Sequence, residues 1–145
     1  MKREEINAEY KWRLDDLFVD DTSWEEAFNK IKTDLSVFKA FKGTLTQSSE
    51  ALLKGLNAYE ALSRNLMNVV TYARLRLDEN TKNATYQALV SRSESLMTEF
   101  GESTAFLTPE LLSVEYDAIQ ALLQSDALKV YQKYFENLFR NKPHI

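Results

Sequence analysis

The 145-residue sequence contains no cysteine and a single histidine, His144. The absence of cysteine excludes disulfide bonds, thiol catalysis and thiolate metal ligands. One histidine cannot form a histidine-rich zinc centre, and its position directly after Pro143 favours a capping or packing role over catalysis. The composition therefore predicts no metal site in this chain.

Glycine and proline are also scarce, with three and two residues. Because these residues form turns and interrupt helices, their scarcity predicts few turns and long helices. Three scattered glycines cannot form a glycine-rich phosphate-binding loop. With 44% hydrophobic and 28% charged residues, the composition is that of a globular protein, and the length fits a single domain over residues 1–145.

The sequence has no excess of basic residues and no long apolar run. Its 18 Lys and Arg residues against 22 Asp and Glu residues give a net charge of −4. A protein of this charge lacks the broad basic surface of nucleic-acid and anionic-membrane binders. The charged start, Met1–Glu5, has no apolar stretch behind it. We therefore expect a cytoplasmic protein with no nucleic-acid partner and no membrane partner.

The first helix is predicted over residues 22–42, after an irregular arm over residues 1–21. The arm has an aromatic and aliphatic cluster but no sustained helical period. Residues 20–23 offer side-chain oxygens that can cap a helix N-terminus, and Gly43 supplies a stop. Between them, apolar residues recur every three or four positions on one stripe. The stripe consists of Trp24, Ala27, Phe28, Ile31, Leu35 and Phe38.

Two long helices are predicted over residues 48–79 and 82–107. Their short polar connection predicts an antiparallel hairpin over about residues 49–107. A helix of about 30 residues is roughly 45 Å long, whereas a compact globule of this chain length is about 38 Å across. The sequence therefore predicts an elongated, all-α domain. Small residues near the inner stripe would allow the two helices to approach closely: Ser93, Ser103 and Ala105.

Shorter helices are predicted over residues 109–141. Thr108, Pro109 and Glu110 have the pattern of an N-cap, a first helical residue and an acidic first turn. Ser113 marks a turn, and Ser125 is predicted to cap the last helix.

Four pairs of adjacent carboxylates are candidates for acid–base chemistry: Glu4-Glu5, Asp15-Asp16, Asp20-Asp21 and Glu25-Glu26. Adjacent residues of a helix point about 100° apart, so the two carboxylates of a pair do not converge. Two of the pairs lie where helix caps and first-turn acids are expected. Residues 78–89 begin like a calcium loop, but Asn83 and Leu89 stand where that loop requires Gly and Glu.

Other candidates are two arginines and five tyrosines. Arg74 and Arg76 could bind a peptide or a phosphate, although cations near a helix C-terminus also interact with the helix dipole. Asn83–Thr85 matches a glycosylation sequon, which has no meaning without a secretory signal. Aromatic residues at helical spacing could line a groove for peptide side chains or belong to the core. They are Tyr59, Tyr72, Tyr86, Tyr131 and Tyr134.

Taken alone, these residues predict an all-helical module without a catalytic residue, a metal ligand or a cofactor-binding residue, and they do not identify a substrate-binding residue. Further information comes from short motifs that follow one another along the chain. They are Tyr10–Phe18, Phe41–Gly43, Leu62–Arg64, Tyr72–Thr81, Tyr86–Leu89 and Lys142–His144. In this order and spacing the motifs resemble oligoendopeptidase F, a family of bacterial zinc metallopeptidases. The resemblance extends over essentially all 145 residues.

The resemblance implies that this chain is the N-terminal domain of such an enzyme, with the catalytic domain absent. Family members continue into a catalytic domain where a His-Glu-x-x-His helix and a later glutamate hold zinc. This chain contains no such motif, so no zinc ligand and no general base can be assigned to its residues. The implied partners are the catalytic domain of the same polypeptide and oligopeptide substrates. The helical lobe would pack on the catalytic domain and form one wall of a channel for short unfolded peptides.

The alternative is a stand-alone all-helical interaction module that forms a homodimer. An elongated hairpin with wide apolar faces needs a neighbour to cover them, which is either a second copy or the rest of a longer chain. A coding sequence that continues past Ile145 into a His-Glu-x-x-His segment would favour the enzyme.

Overall fold

The computed structural model describes Leu14 and residues 16–142, and this part of the chain contains helices and no β-strand. Short connections and two 3-10 helices, Lys39–Phe41 and Asp126–Tyr131, lie between the α-helices. The prediction of an all-α fold with two long consecutive helices and shorter flanking helices is confirmed. The α-helices are α1 (Asp21–Phe38), α2 (Ser49–Glu79), α3 (Ala84–Thr104), α4 (Leu107–Leu112), α5 (Tyr116–Leu122) and α6 (Gln132–Arg140).

Helix α1 begins at Asp21 because Asp20 caps its N-terminus. The backbone N–H of Ser23 donates to the Asp20 carboxylate at 2.8 Å, and this hydrogen bond lowers the pKa of Asp20. The α-helix ends at Phe38 instead of the predicted residue 42 because the chain tightens into the 3-10 helix. Large residues of the predicted stripe are buried: Trp24, Phe28, Ile31, Leu35 and Phe38.

Polar turn residues cap both long helices. The hydroxyl of Ser48 accepts from the N–H of Ala51 at 3.0 Å, and the side-chain oxygen of Asn83 accepts from the N–H of Tyr86 at 3.1 Å. The cap at Asn83 explains why α3 begins at Ala84 and not at the predicted residue 82.

The end of α3 also differs from the prediction, at Thr104 instead of residue 107. Phe106 follows the end of the helix and packs against Phe38, with ring centroids 5.4 Å apart. Among the small residues predicted for the inner stripe, Ser93 and Ser103 are buried. Ala105 is exposed, so its predicted place was wrong, because the helix has already ended there.

Two capping predictions in the last part of the chain were also wrong. Helix α4 begins at Leu107, so Thr108 and Pro109 both lie inside its first turn. Proline is tolerated there because the first N–H groups of a helix have no intrahelical acceptor. The side chain of Ser125 makes no capping hydrogen bond, and the segment after it is a 3-10 helix.

Most of the predicted arm, residues 1–21, lies outside the described residues. In its described part Leu14, Asp16 and Leu17 are helical, and the N–H of Phe18 donates to the carbonyl of Leu14 at 2.9 Å. Leu14 is buried. Among the described residues, no helix combines the length and the apolar character that crossing a bilayer requires.

The chain divides into two compact units. The first unit contains the described residues up to Ser36 together with Ala61–Glu102, and the second contains Val37–Glu60 together with the described residues from Ser103 onward. The core of the first unit includes Trp24, Ile31, Leu35, Val69 and Leu96. The core of the second unit includes Phe38, Leu45, Leu52, Leu111 and Phe135.

Candidate functional site

The first unit contains a polar network in which helices α1, α2 and α3 meet, and we call it the tyrosine–arginine cluster: Asp21, Tyr72, Arg76, Glu79 and Tyr86. The hydroxyl of Tyr72 donates to the Asp21 carboxylate at 2.6 Å. Arg76 donates to the hydroxyl of Tyr86 and, at 3.2 Å, to the carboxylate of Glu79. Its Nε atom lies 3.5 Å from the Asp21 carboxylate. The guanidinium of Arg76 in α2 therefore contacts both α1 and α3.

Burial and the neighbouring Asp21 carboxylate raise the pKa of Tyr72 above its usual range. The Tyr72 hydroxyl therefore keeps its proton at neutral pH and acts as a hydrogen-bond donor. Phe18 packs edge-on against the same ring, with centroids 5.4 Å apart. These contacts favour a role of the cluster in fixing the helices.

A cleft of about 650 Å³ lies beside the tyrosine–arginine cluster. Phe18 and Val19 form an apolar part of its lining, and Asp20, Asp21 and Glu79 contribute carboxylates. Each of these carboxylates already has a hydrogen-bond or ion-pair partner in the first unit. The cleft therefore lacks an unpaired couple of carboxylates of the kind that acid–base catalysis requires.

A second ion pair joins α1 to α3. Arg92 binds both carboxylate oxygens of Glu25, with the Nη1–Oε1 contact at 2.8 Å. The guanidinium lies over the rings of Phe28 and Trp24, at 4.4 Å and 5.1 Å from their centroids. The hydrogen bonds between the two side chains lower the pKa of Glu25 and raise the pKa of Arg92.

Trp24 adds a buried link from α1 to α2. Its indole N–H donates to the backbone carbonyl of Val69 at 2.9 Å, and the side chain is fully buried. A buried indole N–H needs such a partner, so this hydrogen bond helps to set the position of α1 on α2.

The paired carboxylates do not meet at one point in the structure. Asp20 caps α1, Asp21 belongs to the tyrosine–arginine cluster, and Glu25 pairs with Arg92. Asp16 and Glu26 are exposed. The remaining candidates lie outside the described residues: Glu4, Glu5, Asp15 and His144.

The arginine and tyrosine candidates also have individual roles. Arg76 pairs with two carboxylates, whereas Arg74 is exposed. The Tyr131 hydroxyl donates to Glu60 at 2.9 Å. Burial, and to a smaller extent this hydrogen bond, raises the pKa of Tyr131 to about 12. Tyr59 packs on Phe38 with centroids 6.3 Å apart. Burial raises the pKa of Tyr134.

Sequence reasoning missed the role of Glu110. Its carboxylate accepts hydrogen bonds from the N–H groups of Gly43 and Leu45, at 2.6 Å and 3.0 Å. Gly43 has a φ of +86°, a conformation that glycine adopts at little cost and that turns these N–H groups to one side. The glutamate was predicted only as a first-turn acid, because no local pattern connects it to the turn.

The resemblance implies zinc in the enzyme family, which requires a group of metal ligands. In the part of the chain that the structure describes, no group of three or more His, Cys, Asp or Glu residues is placed to bind one. These residues do not fit a zinc site.

Known proteins similar to this chain are peptidases. The chain is 34% identical over 144 residues to the oligopeptidase PepF of Bacillus subtilis, and the match covers 99% of this chain and 22% of that protein. It is 35% identical to the group B oligopeptidase PepB of Streptococcus agalactiae, and this match covers 99% of this chain and 24% of that protein. The chain therefore spans about a quarter of the length of these relatives.

Solved structures agree with the sequence comparisons. The structure of oligoendopeptidase F from Enterococcus faecium matches 87% of this chain and 25% of its own, with a TM-score of 0.77 and 28% identity. A putative peptidase from Chlamydophila abortus matches 91% of this chain and 22% of its own, with a TM-score of 0.73 and 27% identity. The family model described as Oligopeptidase F matches residues 110–145. The chain is therefore similar over nearly its whole length to oligoendopeptidase F proteins, which is consistent with an N-terminal domain of that family.

Proposed function

We propose that this chain is the N-terminal, non-catalytic lobe of a zinc endopeptidase that hydrolyses oligopeptides. The observation that carries the proposal is the coverage: relatives named as oligopeptidases match 99% of this chain, while the chain corresponds to only 22% or 24% of their lengths. Peptide hydrolysis and zinc binding would then belong to the remaining part of the enzyme, where zinc would supply the activation of a water molecule.

In this proposal the lobe packs against the catalytic domain and forms one wall of a channel that admits short unfolded peptides. The contacts in the first unit support a positioning role. The Glu25–Arg92 pair and the tyrosine–arginine cluster both join α1 to the long helices through charged hydrogen bonds. A wall that excludes folded proteins needs helices held in fixed positions.

A chimaera tests the proposal. The 144-residue stretch of Bacillus subtilis PepF that matches this chain is replaced by the chain, and hydrolysis of a fluorogenic oligopeptide is measured. We expect the chimaera to hydrolyse the peptide and the same enzyme without the stretch to lose activity. The chain alone should show neither turnover nor stoichiometric zinc by elemental analysis.

Besides an inactive chimaera, two results would contradict this function. Turnover together with stoichiometric zinc in the isolated chain would show that it is an enzyme by itself. Equal activity of the PepF variant with and without the stretch would show that the lobe is dispensable. A particle mass of twice the monomer in light scattering would instead favour the stand-alone homodimer. The cytoplasmic location remains a prediction, which fractionation of the source cells would test.

A further inference from the structure

Both internal methionines of the chain are exposed, although methionine is usually a buried residue. Met67 on α2 is 63% exposed and Met97 on α3 is 42% exposed. Each follows directly after a buried leucine, since Leu66 is 8% exposed and Leu96 is 1% exposed. The two methionines therefore lie at the surface of well-packed helices.

The two methionines lie at similar heights on neighbouring helices. Arg76 of α2 donates to Tyr86 of α3, and this contact fixes the register of the two helices near their connecting turn. Met67 precedes Arg76 by nine residues, and Met97 follows Tyr86 by eleven. At 1.5 Å per residue, these separations are about 14 Å and about 17 Å along the helices.

The methionines also lie on the same side of the helix pair, away from α1. The side chains of Tyr72 on α2 and Arg92 on α3 both bond to α1. Met67 precedes Tyr72 by five residues, and Met97 follows Arg92 by five. Five residues correspond to a rotation of about 140° around a helix, so each methionine lies nearly opposite the contact with α1.

Arg74 lies on the same side of α2 as Met67. It follows Met67 by seven residues, or two helical turns, which is about 10 Å along the helix. Its side chain is exposed, and unlike Arg76 it forms no ion pair with a carboxylate of the described residues. We call the surface formed by Met67, Arg74 and Met97 the methionine face.

We propose that the methionine face binds short peptides, with Met67 and Met97 contacting an apolar side chain and Arg74 binding the terminal carboxylate. The inference rests on the proposed function, which makes oligopeptides the substrate. The flexible, polarisable thioether of methionine adapts to side chains of different shape, as an enzyme for varied peptides requires. The guanidinium of arginine matches a carboxylate with two parallel hydrogen bonds.

The distance along α2 between Met67 and Arg74 specifies the sequence of the peptide further. An extended peptide advances about 3.3 Å per residue, so a distance of about 10 Å corresponds to three residues. The apolar side chain should therefore lie three positions before the C-terminal residue. A second copy of the chain fits the face less well, because a standard protein interface uses about 20 to 30 residues per partner and this face offers two large exposed apolar side chains.

The experiment uses the 145-residue chain with ¹³C-labelled methionine methyl groups, observed by NMR. The probes are the peptide acetyl-Ala-Leu-Ala-Ala-Ala with a free carboxylate and the same peptide as a C-terminal amide. We expect saturable shifts of the Met67 and Met97 methyl signals with both probes. The free acid should bind about two to five times more tightly, the range typical of one exposed ion pair.

Variants locate the site. Met67→Gln combined with Met97→Gln should abolish saturable binding, which is monitored in this variant through the amide signals of α2 and α3. Circular dichroism should show an unchanged helix content because both positions are exposed. Arg74→Gln should bind the acid and the amide equally. Val130→Thr is the matched control, since Val130 is 78% exposed in the second unit, and it should bind both peptides as the parent chain does.

Three outcomes would overturn the inference. They are the absence of saturable methyl shifts, an acid preference that survives in Arg74→Gln, and methyl shifts that depend on the concentration of the chain without any peptide. The last result would identify a second copy as the occupant. An active PepF chimaera together with a negative titration would refute the methionine face alone, whereas an inactive chimaera would refute the proposed function.

Discussion

Glu110 connects two segments of the second unit that are far apart in sequence. Its carboxylate accepts from the N–H groups of Gly43 and Leu45, which are 67 and 65 residues away. Both oxygens act as acceptors, so the geometry depends on a carboxylate and not merely on a polar side chain. Glu110→Gln replaces one acceptor by an NH₂ donor that faces a backbone N–H. We expect this change to lower the free energy of unfolding by about 1 to 2 kcal/mol, measured by urea denaturation.

Glu115→Gln is the control for Glu110→Gln. Glu115 is exposed and its side chain makes no capping hydrogen bond to α5. The control should change the free energy of unfolding by less than about 0.5 kcal/mol. Equal effects of the two substitutions would show that the carboxylate of Glu110 does not hold the turn.

The Glu25–Arg92 pair makes a prediction about acid stability. The hydrogen bond from Arg92 lowers the pKa of Glu25 below its usual value of 4.5. A lowered pKa means that the pair stabilises the folded state above pH 4.5 and that this contribution is lost as the pH falls through the folded pKa. Glu25→Gln should therefore destabilise the protein at pH 7, and this effect should become smaller as the pH falls towards 2.

The size of this effect is limited by solvent. The two side chains are 43% and 38% exposed, so we expect a loss of at most about 1 kcal/mol at pH 7, measured by thermal or urea denaturation at both pH values. Glu26→Gln, at an exposed neighbouring position, should show no such dependence on pH. A Glu25→Gln penalty that stayed constant between pH 7 and pH 2 would point to packing as its cause.

At the scale of helices, two glycines make opposite predictions for the same substitution. Gly55 in α2 faces Leu45, and a Cβ atom placed there would collide with the side chain of this fully buried leucine. At Gly101 in α3, no side chain and no other segment of the described chain lies within 4 Å of the position that a Cβ would occupy, apart from the two neighbouring residues. Alanine stabilises a helix relative to glycine by about 1 kcal/mol. The space around the added Cβ atom therefore decides whether each substitution stabilises or destabilises the protein. Gly55→Ala should destabilise by about 1 to 3 kcal/mol, whereas Gly101→Ala should stabilise by about 0.5 kcal/mol.

Urea denaturation of both glycine variants checks this pair of expectations, and each variant serves as the control for the other. The slope of the free energy against urea concentration should be unchanged, since neither substitution alters the surface exposed on unfolding. Stabilisation by Gly55→Ala would mean that Leu45 can move away, and the close approach of α2 to the Leu45 segment would then not be a structural requirement.

The sequence could predict helical elements because their signals are local. The apolar stripe of α1 and the cap predicted at residues 20–23 depend on residues within one or two turns, and the structure has them where the pattern indicates. Boundaries were less predictable. The 3-10 helix Lys39–Phe41 and the early end of α3 depend on packing of Phe38 with Phe41 and Phe106, which no local pattern contains.

The polar contacts were predictable only as a set of candidates. The sequence singled out Tyr72 and Arg76, but it offered no reason to connect them with Asp21, which is 51 residues from Tyr72. Likewise, Met97 follows the buried Leu96 in α3, and its side chain is 42% exposed. A helical period of three or four positions does not separate the edge of a buried stripe from the exposed surface.

At the scale of the whole molecule, charge and exposed apolar surface together predict the state of the isolated chain. Its net charge is −4 at pH 7, which opposes association. Among the described residues the exposed large apolar side chains are few and occur in both units. They are Val19, Val37, Met67, Met97, Val130 and Tyr134. A stable homodimer would need a contiguous interface of about 20 to 30 residues on each copy.

We therefore expect a monomer at pH 7.5 and about 50 μM, measured by light scattering coupled to size exclusion. Near the isoelectric point of about 5.1 the net charge vanishes, and association should rise because charge repulsion is lost. Association of this kind has no defined stoichiometry, so the apparent mass at pH 5 should increase with concentration without a plateau. A stable mass of twice the monomer at pH 7.5 would contradict this expectation, and mapping its interface would then decide between the methionine face and another surface.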